Sequence, residues 1–368
     1  MSHVSGHDAV SNLLTLVVTT SPTPSAPSTG LLCGVLESFQ THCNALLQCN
    51  VIVVFDTYDY IATTPRLKKG QVTPETAERY GTYKDNVKTL FLDTFAKSPD
   101  GPTPLIETAG EAEYGSPNLT TPVPFTISST ADGHVRFIQA QDRRLGFGLG
   151  VRSALRIVQT PYVWIHQHDW RLIYDIPVAA LLGAMQASTE GGDDAAPAPI
   201  QYICLPSGRR SSYATSEQVL PYPALRDVSR ALTGAYAGGP GQPSVPLTPM
   251  FFWHDKPHLA ATAHYLARVF SSRLAMMRGA FIEDSVGQQA RNQMKDGQWR
   301  KWATWLYNPD GGMSWCLRHL HGRTWRGKEE EERRKSLAVL RGRGNKGRDG
   351  SPSASGSDVY DADLVVIP

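Results

Sequence analysis

Residues 13–56, LLTLVVTTSPTPSAPSTGLLCGVLESFQTHCNALLQCNVIVVFD, decide the fold. Leu13 to Val18 is an unbroken run of leucine and β-branched residues bounded by Thr, Ser and Pro, the pattern of a strand buried on both faces. SPTPSAPSTG reads as a loop. Leu31 to Gln48 then sets Leu32, Val35, Leu36 and Phe39 at helical spacing, and Val51 to Phe55 is a second buried strand that ends in Asp56. Strand, loop, helix, strand is the βαβ unit of a parallel sheet with helices on its faces. The expected class is therefore α/β, a mostly parallel sheet flanked by helices. Ligands of such sheets bind beyond the carboxyl ends of the strands, so polar residues that end a buried strand are the first candidates for function.

The bulk composition narrows the classes. Across 368 residues, 36 Lys and Arg face 34 Asp and Glu, a balance that gives no reason to expect nucleic acid or an anionic membrane as partner. Five cysteines, odd in number and without a C-x-x-C pair, argue against a disulfide framework or a zinc knuckle and for a reducing compartment. The first residues lack the basic region of a signal peptide, and no stretch approaches the ~20 apolar residues that span a bilayer. A cytoplasmic location is expected.

Beyond the first unit, residues 60–133 read as an irregular insertion, helical in pieces around TPETAERYGTYKDNVKTLF and rich in Pro and Gly after it. A helix from about Phe147 to Gln159 and a strand from Tyr162 to Ile165 follow. Ile176 to Gln186 reads as helix and Ile200 to Leu205 as strand, with GRRSSYATS after it a basic loop. GAYAGGPGQPSVPL reads as a flexible connection, and Leu259, Ala263, Leu266 and Phe270 as the inner stripe of a helix. Residues 1–12 are expected to be flexible, 13–327 to form one domain, and 328–368, charged and poor in apolar residues, to be disordered.

Four clusters carry the chemistry. The strand YVWI ends in His166-Gln167-His168-Asp169, where an aspartate with histidines beside it suits a manganese or magnesium ion; a turn cap would use the same residues. Glu283-Asp284 stand where a helix begins, either as dipole-stabilised caps or as a general base for a hydroxyl. Asp56 and Asp59, after the second strand, can accept from a nucleoside or cap a turn. His319, His321 and their neighbouring arginines could offset a diphosphate's charge, among aromatics that could equally be core.

In chain order these pieces resemble the GT-A type nucleotide-sugar glycosyltransferases, close in layout to family 2. LTLVVTTSPTPSAPSTGLLCGVLESF resembles the opening of that fold, where a small-residue loop receives the nucleotide, and VIVVFDTYD its second strand. GLGVRSALRIVQTPYVWIHQHDW resembles the helix–strand run in which an Arg–Asn pair precedes D-x-D, with Arg152-Ser153 at the pair's place and His-Gln-His-Asp at the acidic motif's. FIEDSVGQQ resembles the later E-D motif. The resemblance implies transfer of a sugar from a nucleotide-sugar to an acceptor hydroxyl, with inversion. It gives Glu283 or Asp284 the role of base, and Asp56, Asp59 and Arg152 the donor nucleotide. A divalent metal would sit at Asp169, His168 and His166, with His319 and His321 assisting. Trp253, His254, Asp255 and His258 would then line the acceptor pocket. Two other readings fit the same residues: a non-catalytic binding module on this scaffold, and a metal-dependent hydrolase built on H-x-H-D.

Overall fold

A computed structural model of the chain describes residues 6–96, 103–189, 198–207 and 219–333. The chain divides into two compact units, Met1–Trp325 and Arg326–Pro368. The second is described only over 326–333, where Arg333 pairs with Glu330 at 2.7 Å. Most of the tail expected to be disordered, and the basic loop expected at 208–216, lie outside the described residues. No helix among the described residues is long and apolar enough to cross a membrane.

The first unit is an α/β structure around one eleven-stranded mixed sheet. Its strands in chain order begin with β1 (Leu14–Thr20) and β2 (Asn50–Phe55). The short pair β3 (Tyr60–Ile61) and β4 (Gln71–Val72) stands apart as a two-stranded sheet. Then come β5 (Ile106–Ser116), β6 (Leu119–Ser129), β7 (Val135–Ala140) and β8 (Tyr162–Gln167). After β9 (Trp170–Leu172) follow β10 (Tyr202–Cys204), β11 (Gly234–Tyr236), β12 (Val245–Pro249), β13 (His258–Ala261), β14 (Thr304–Tyr307) and β15 (Leu317–His319). The order across the sheet is β11-β12-β14-β10-β13-β8-β1-β2-β7-β6-β5, and β9 pairs with β15 outside it. β8, β1, β2 and β7 are mutually parallel, and β13 runs antiparallel beside β8. The helices are α1 (Gly6–Leu13), α2 (Gly30–His42), α3 (Pro74–Phe91), α4 (Phe147–Leu155), α5 (Val178–Thr189), α6 (Pro223–Leu232) and α7 (Thr262–Arg268). A last helical run joins Glu283–Gly287, α8 (Gln288–Gln293), Met294–Gln298 and α9 (Trp299–Trp302).

The central strands form where the apolar runs predict. Leu14, Leu16, Val17 and Val18 of β1 and Val51 to Phe55 of β2 are all but sealed from solvent, with α4 packed on both strands. Each such side chain contributes about 1.5–3 kcal/mol by burial, which overrides any local preference.

Four expectations are corrected. Residues 6–13, expected to be flexible, form α1, and Val10 is buried in the core. The insertion at 60–133 is regular over most of its described residues. Thr73 caps α3 by accepting from Thr76 N–H at 3.0 Å, with Pro74 at the first turn, and Tyr80, Tyr83, Val87 and Phe91 form its buried stripe. The Pro- and Gly-rich part is the hairpin β5–β6. Pro124 fits there because its carbonyl accepts from Gln141 N–H on the side away from β5, and the ladder to β7 starts only at Phe125. The stretch 234–247, expected to be a flexible connection, pairs β11 with β12. Leu259, expected in a helix, belongs to β13, and the helix starts at Thr262. Four residues of HLAA carry too little pattern to oppose the pairing offered by β8 and β10.

Candidate active site at the carboxyl edge of the sheet

β1 lies between β2 and β8, all three parallel. The chain leaves β1 for a neighbour on one side and later returns to the neighbour on the other, which makes the ends of these strands a topological switch point, where α/β sheets bind ligands. Thr20 ends β1. Its hydroxyl meets His168 Nδ1 and the Tyr83 hydroxyl at 2.8 Å each, and its carbonyl accepts from Asp56 N–H at 2.8 Å. One threonine thus joins the ends of three strands and α3.

On the β2 side, Asp56 is an anchor. Its carboxylate accepts from the N–H groups of Leu145 (2.6 Å), Thr57 (2.9 Å) and Gly146 (3.0 Å), while Tyr80 donates to its carbonyl. Burial pushes the Asp56 carboxyl up to about 6, against the pull of those N–H groups. Asp59 pairs with Arg278 at 2.5 Å and with Arg144 at 3.2 Å. Both acids expected to contact the nucleoside are therefore engaged within the chain, fixing the loop that leads into α4. Arg152 is corrected too: it is buried and donates to Glu113 O of β5 at 2.7 Å, so its guanidinium is engaged within the chain.

On the β8 side, His166 is fully buried. Trp164 Nε1, which can only donate, reaches its Nδ1 at 3.2 Å, so Nε2 carries the proton and donates to Trp170 O at 2.8 Å. Burial lowers its pKa to about 4 and keeps it neutral. His168 is likewise held neutral by burial. Asp169 Oδ2 accepts from His319 Nε2 at 3.0 Å and from Gly322 N–H at 2.9 Å, while its Oδ1 is buried with no partner. Burial opposes the charged form of Asp169 most strongly, but the His319 hydrogen bond, the neighbouring histidines and Gly322 N–H together outweigh it and hold the carboxyl well below the usual range.

The third wall begins at Glu283. Gln167, the last residue of β8, donates to Asp255 O at 2.8 Å, and Asp255 N–H reaches Glu283 Oε2 at 3.4 Å. His254 Nδ1 stands 3.6 Å from the same oxygen. A two-step link thus runs from Gln167, at the end of β8, through the Asp255 main chain to Glu283. Glu283 keeps 40% of its side chain exposed, and Asp284 is exposed beside it. Asp255 is buried with neither carboxylate oxygen hydrogen-bonded. Burial, then the charge of Glu283, raises the Asp255 carboxyl well above its ordinary value. Burial would raise Glu283 as well, but His254 and Asp255 N–H bring it below its ordinary value. Of the expected acceptor residues, Trp253 and His258 are corrected: both are fully buried, packed with Tyr202 and Tyr265, and only His254 reaches the surface. His319 stacks on Trp170 at 4.5 Å and meets the His321 ring at a tilt, 4.3 Å between centroids.

The expected metal set does not fit. His166 has both ring nitrogens in use, His168 commits Nδ1 to Thr20, and Asp169 commits Oδ2 to His319 and Gly322. Among the described residues, no group of three or more His, Cys, Asp or Glu side chains assembles that could hold a metal ion. The same geometry removes the H-x-H-D zinc site of a hydrolase. Thr20, Tyr83, Arg144, Arg278 and Gly322 were missed from the sequence. A threonine ending a buried strand was the one available signal; the others become visible only through pairing across distant segments. The sequence matches no protein-family profile and no curated protein.

Proposed function

We propose that the chain is an inverting glycosyltransferase of GT-A-like layout that moves a sugar from a nucleotide-sugar to an acceptor hydroxyl. The observation that carries this reading is the setting of Glu283, partly exposed, with His254 Nδ1 3.6 Å from its carboxylate and a link through the Asp255 main chain and Gln167 to the end of β8. Glu283, ionised and half open to solvent, is the base. An acceptor hydroxyl passes its proton to a Glu283 oxygen as its own oxygen attacks the anomeric carbon. The bond from that carbon to the diphosphate oxygen breaks on the opposite face, and its electron pair leaves with the nucleoside diphosphate. His254 steadies the carboxylate from 3.6 Å, and buried Asp255 holds its main-chain N–H toward it. Asp56 and Asp59 shape the floor under the donor. No step passes through a metal.

A thermal-shift panel of UDP- and GDP-sugars tests this reading. A cognate donor at about a hundred times its Kd stabilises the native state by roughly 2.7 kcal/mol, and the melting temperature rises by several degrees. No shift with any member of the panel would contradict the proposal.

A further inference from the structure

We propose that the donor diphosphate is bound without a metal ion, by the loop His319 to Arg323, and that Asp169 Oδ1 accepts a hydroxyl of the same donor. This rests on the transferase reading. The loop is fastened to the end of β8 at three points: Leu320 N–H to Asp169 O at 2.7 Å, and His319 Nε2 and Gly322 N–H to Oδ2 at 3.0 and 2.9 Å. It then turns sharply, His321 having φ +54° and its carbonyl accepting from Thr324 N–H at 2.9 Å. Gly322 packs closely at the turn, where a Cβ would stand 3.0 Å from His168 Nε2 and 3.1 Å from Asp169 Oδ2. The fastening leaves His321 and Arg323 exposed. The Arg323 guanidinium lies 5.8 Å from the Phe281 ring, two residues before Glu283. The loop therefore runs from the end of β8 to the neighbourhood of Phe281, with the Arg323 guanidinium at its far end. With Oδ2 held by His319 and Gly322, a divalent ion at Asp169 could use Oδ1 alone and would sit near Arg323, whose charge is felt at His168. A guanidinium meets phosphate oxygens bidentately and needs no ion to do so. Asp169 Oδ1, buried and unpartnered, adds the other half of the ligand's chemistry, a hydroxyl donor next to the phosphates.

Calorimetric titration of UDP and GDP into the full chain, once in EDTA and once in manganese, decides the matter. One of the two nucleotides is expected to bind with similar affinity in both buffers. Arg323→Ala and His321→Ala should each weaken it about tenfold, the loss of a charge-assisted hydrogen bond, while Arg300→Ala, an exposed arginine on α9, leaves it unchanged. Binding in manganese alone, or unchanged binding by both loop variants, overturns the inference and leaves the transferase reading standing. Binding in neither buffer overturns both.

Discussion

Glu283 and Asp255 differ in what surrounds them more than in what they are. Glu283 is met by His254 and by a main-chain N–H, whereas Asp255 is buried with no hydrogen bond to either oxygen. The lowered pKa of Glu283 keeps it ionised, and so able to take a proton, down to a lower pH than an ordinary glutamate. The acid limb of the kcat/KM profile should therefore bend below the ordinary glutamate value. His254→Ala removes the largest favourable influence and leaves burial, so the limb should move to higher pH with little change on the alkaline side; an unmoved limb would exclude His254 as a positioning residue. At this scale the sequence was half informative. The position of Asp169 and Glu283 could be read because each ends a patterned segment. That Asp56 and Asp59 are tied to Leu145, Gly146, Arg144 and Arg278 could not, because those partners are more than eighty residues away.

Between elements, two glycines bring the base to the sheet. Gly146 starts α4 at φ +77°, and Gly279 meets it at φ +78°, so close that a Cβ on Gly146 would stand 2.4 Å from Gly279 Cα. Gly148 N–H then bonds Ala280 O at 3.1 Å, which delivers the chain to Glu283. Gly146→Ala should destabilise the fold by about 3 kcal/mol or more, the sum of a left-handed backbone and an overlap that neither main chain can relieve. Urea unfolding measures this, and a loss under 1 kcal/mol would mean that the two loops are not in contact. The strands that carry the site, β1, β2 and β8, were legible because burial on both faces writes a continuous apolar run. β5, β6, β11, β12 and β13 were not. All but β13 lie toward the sides of the sheet; these strands are short or hold Pro and Gly, and owe their form to a neighbour's ladder.

For the whole molecule, the arrangement sets three strand ends side by side and closes them from above with two distant segments, Phe281 to Asp284 and His319 to Arg323. One segment brings a carboxylate that can take a proton and the other brings positive charge, with the sheet beneath as a rigid platform. The proposed transfer would use both, with the proton passing to Glu283 alone. The direct measurement is the initial rate of sugar transfer from the donor that stabilises the protein, comparing the native chain with Glu283→Gln while titrating donor binding in parallel. The account predicts donor affinity within about twofold and turnover reduced at least about a hundredfold. Unchanged turnover with intact binding would contradict it.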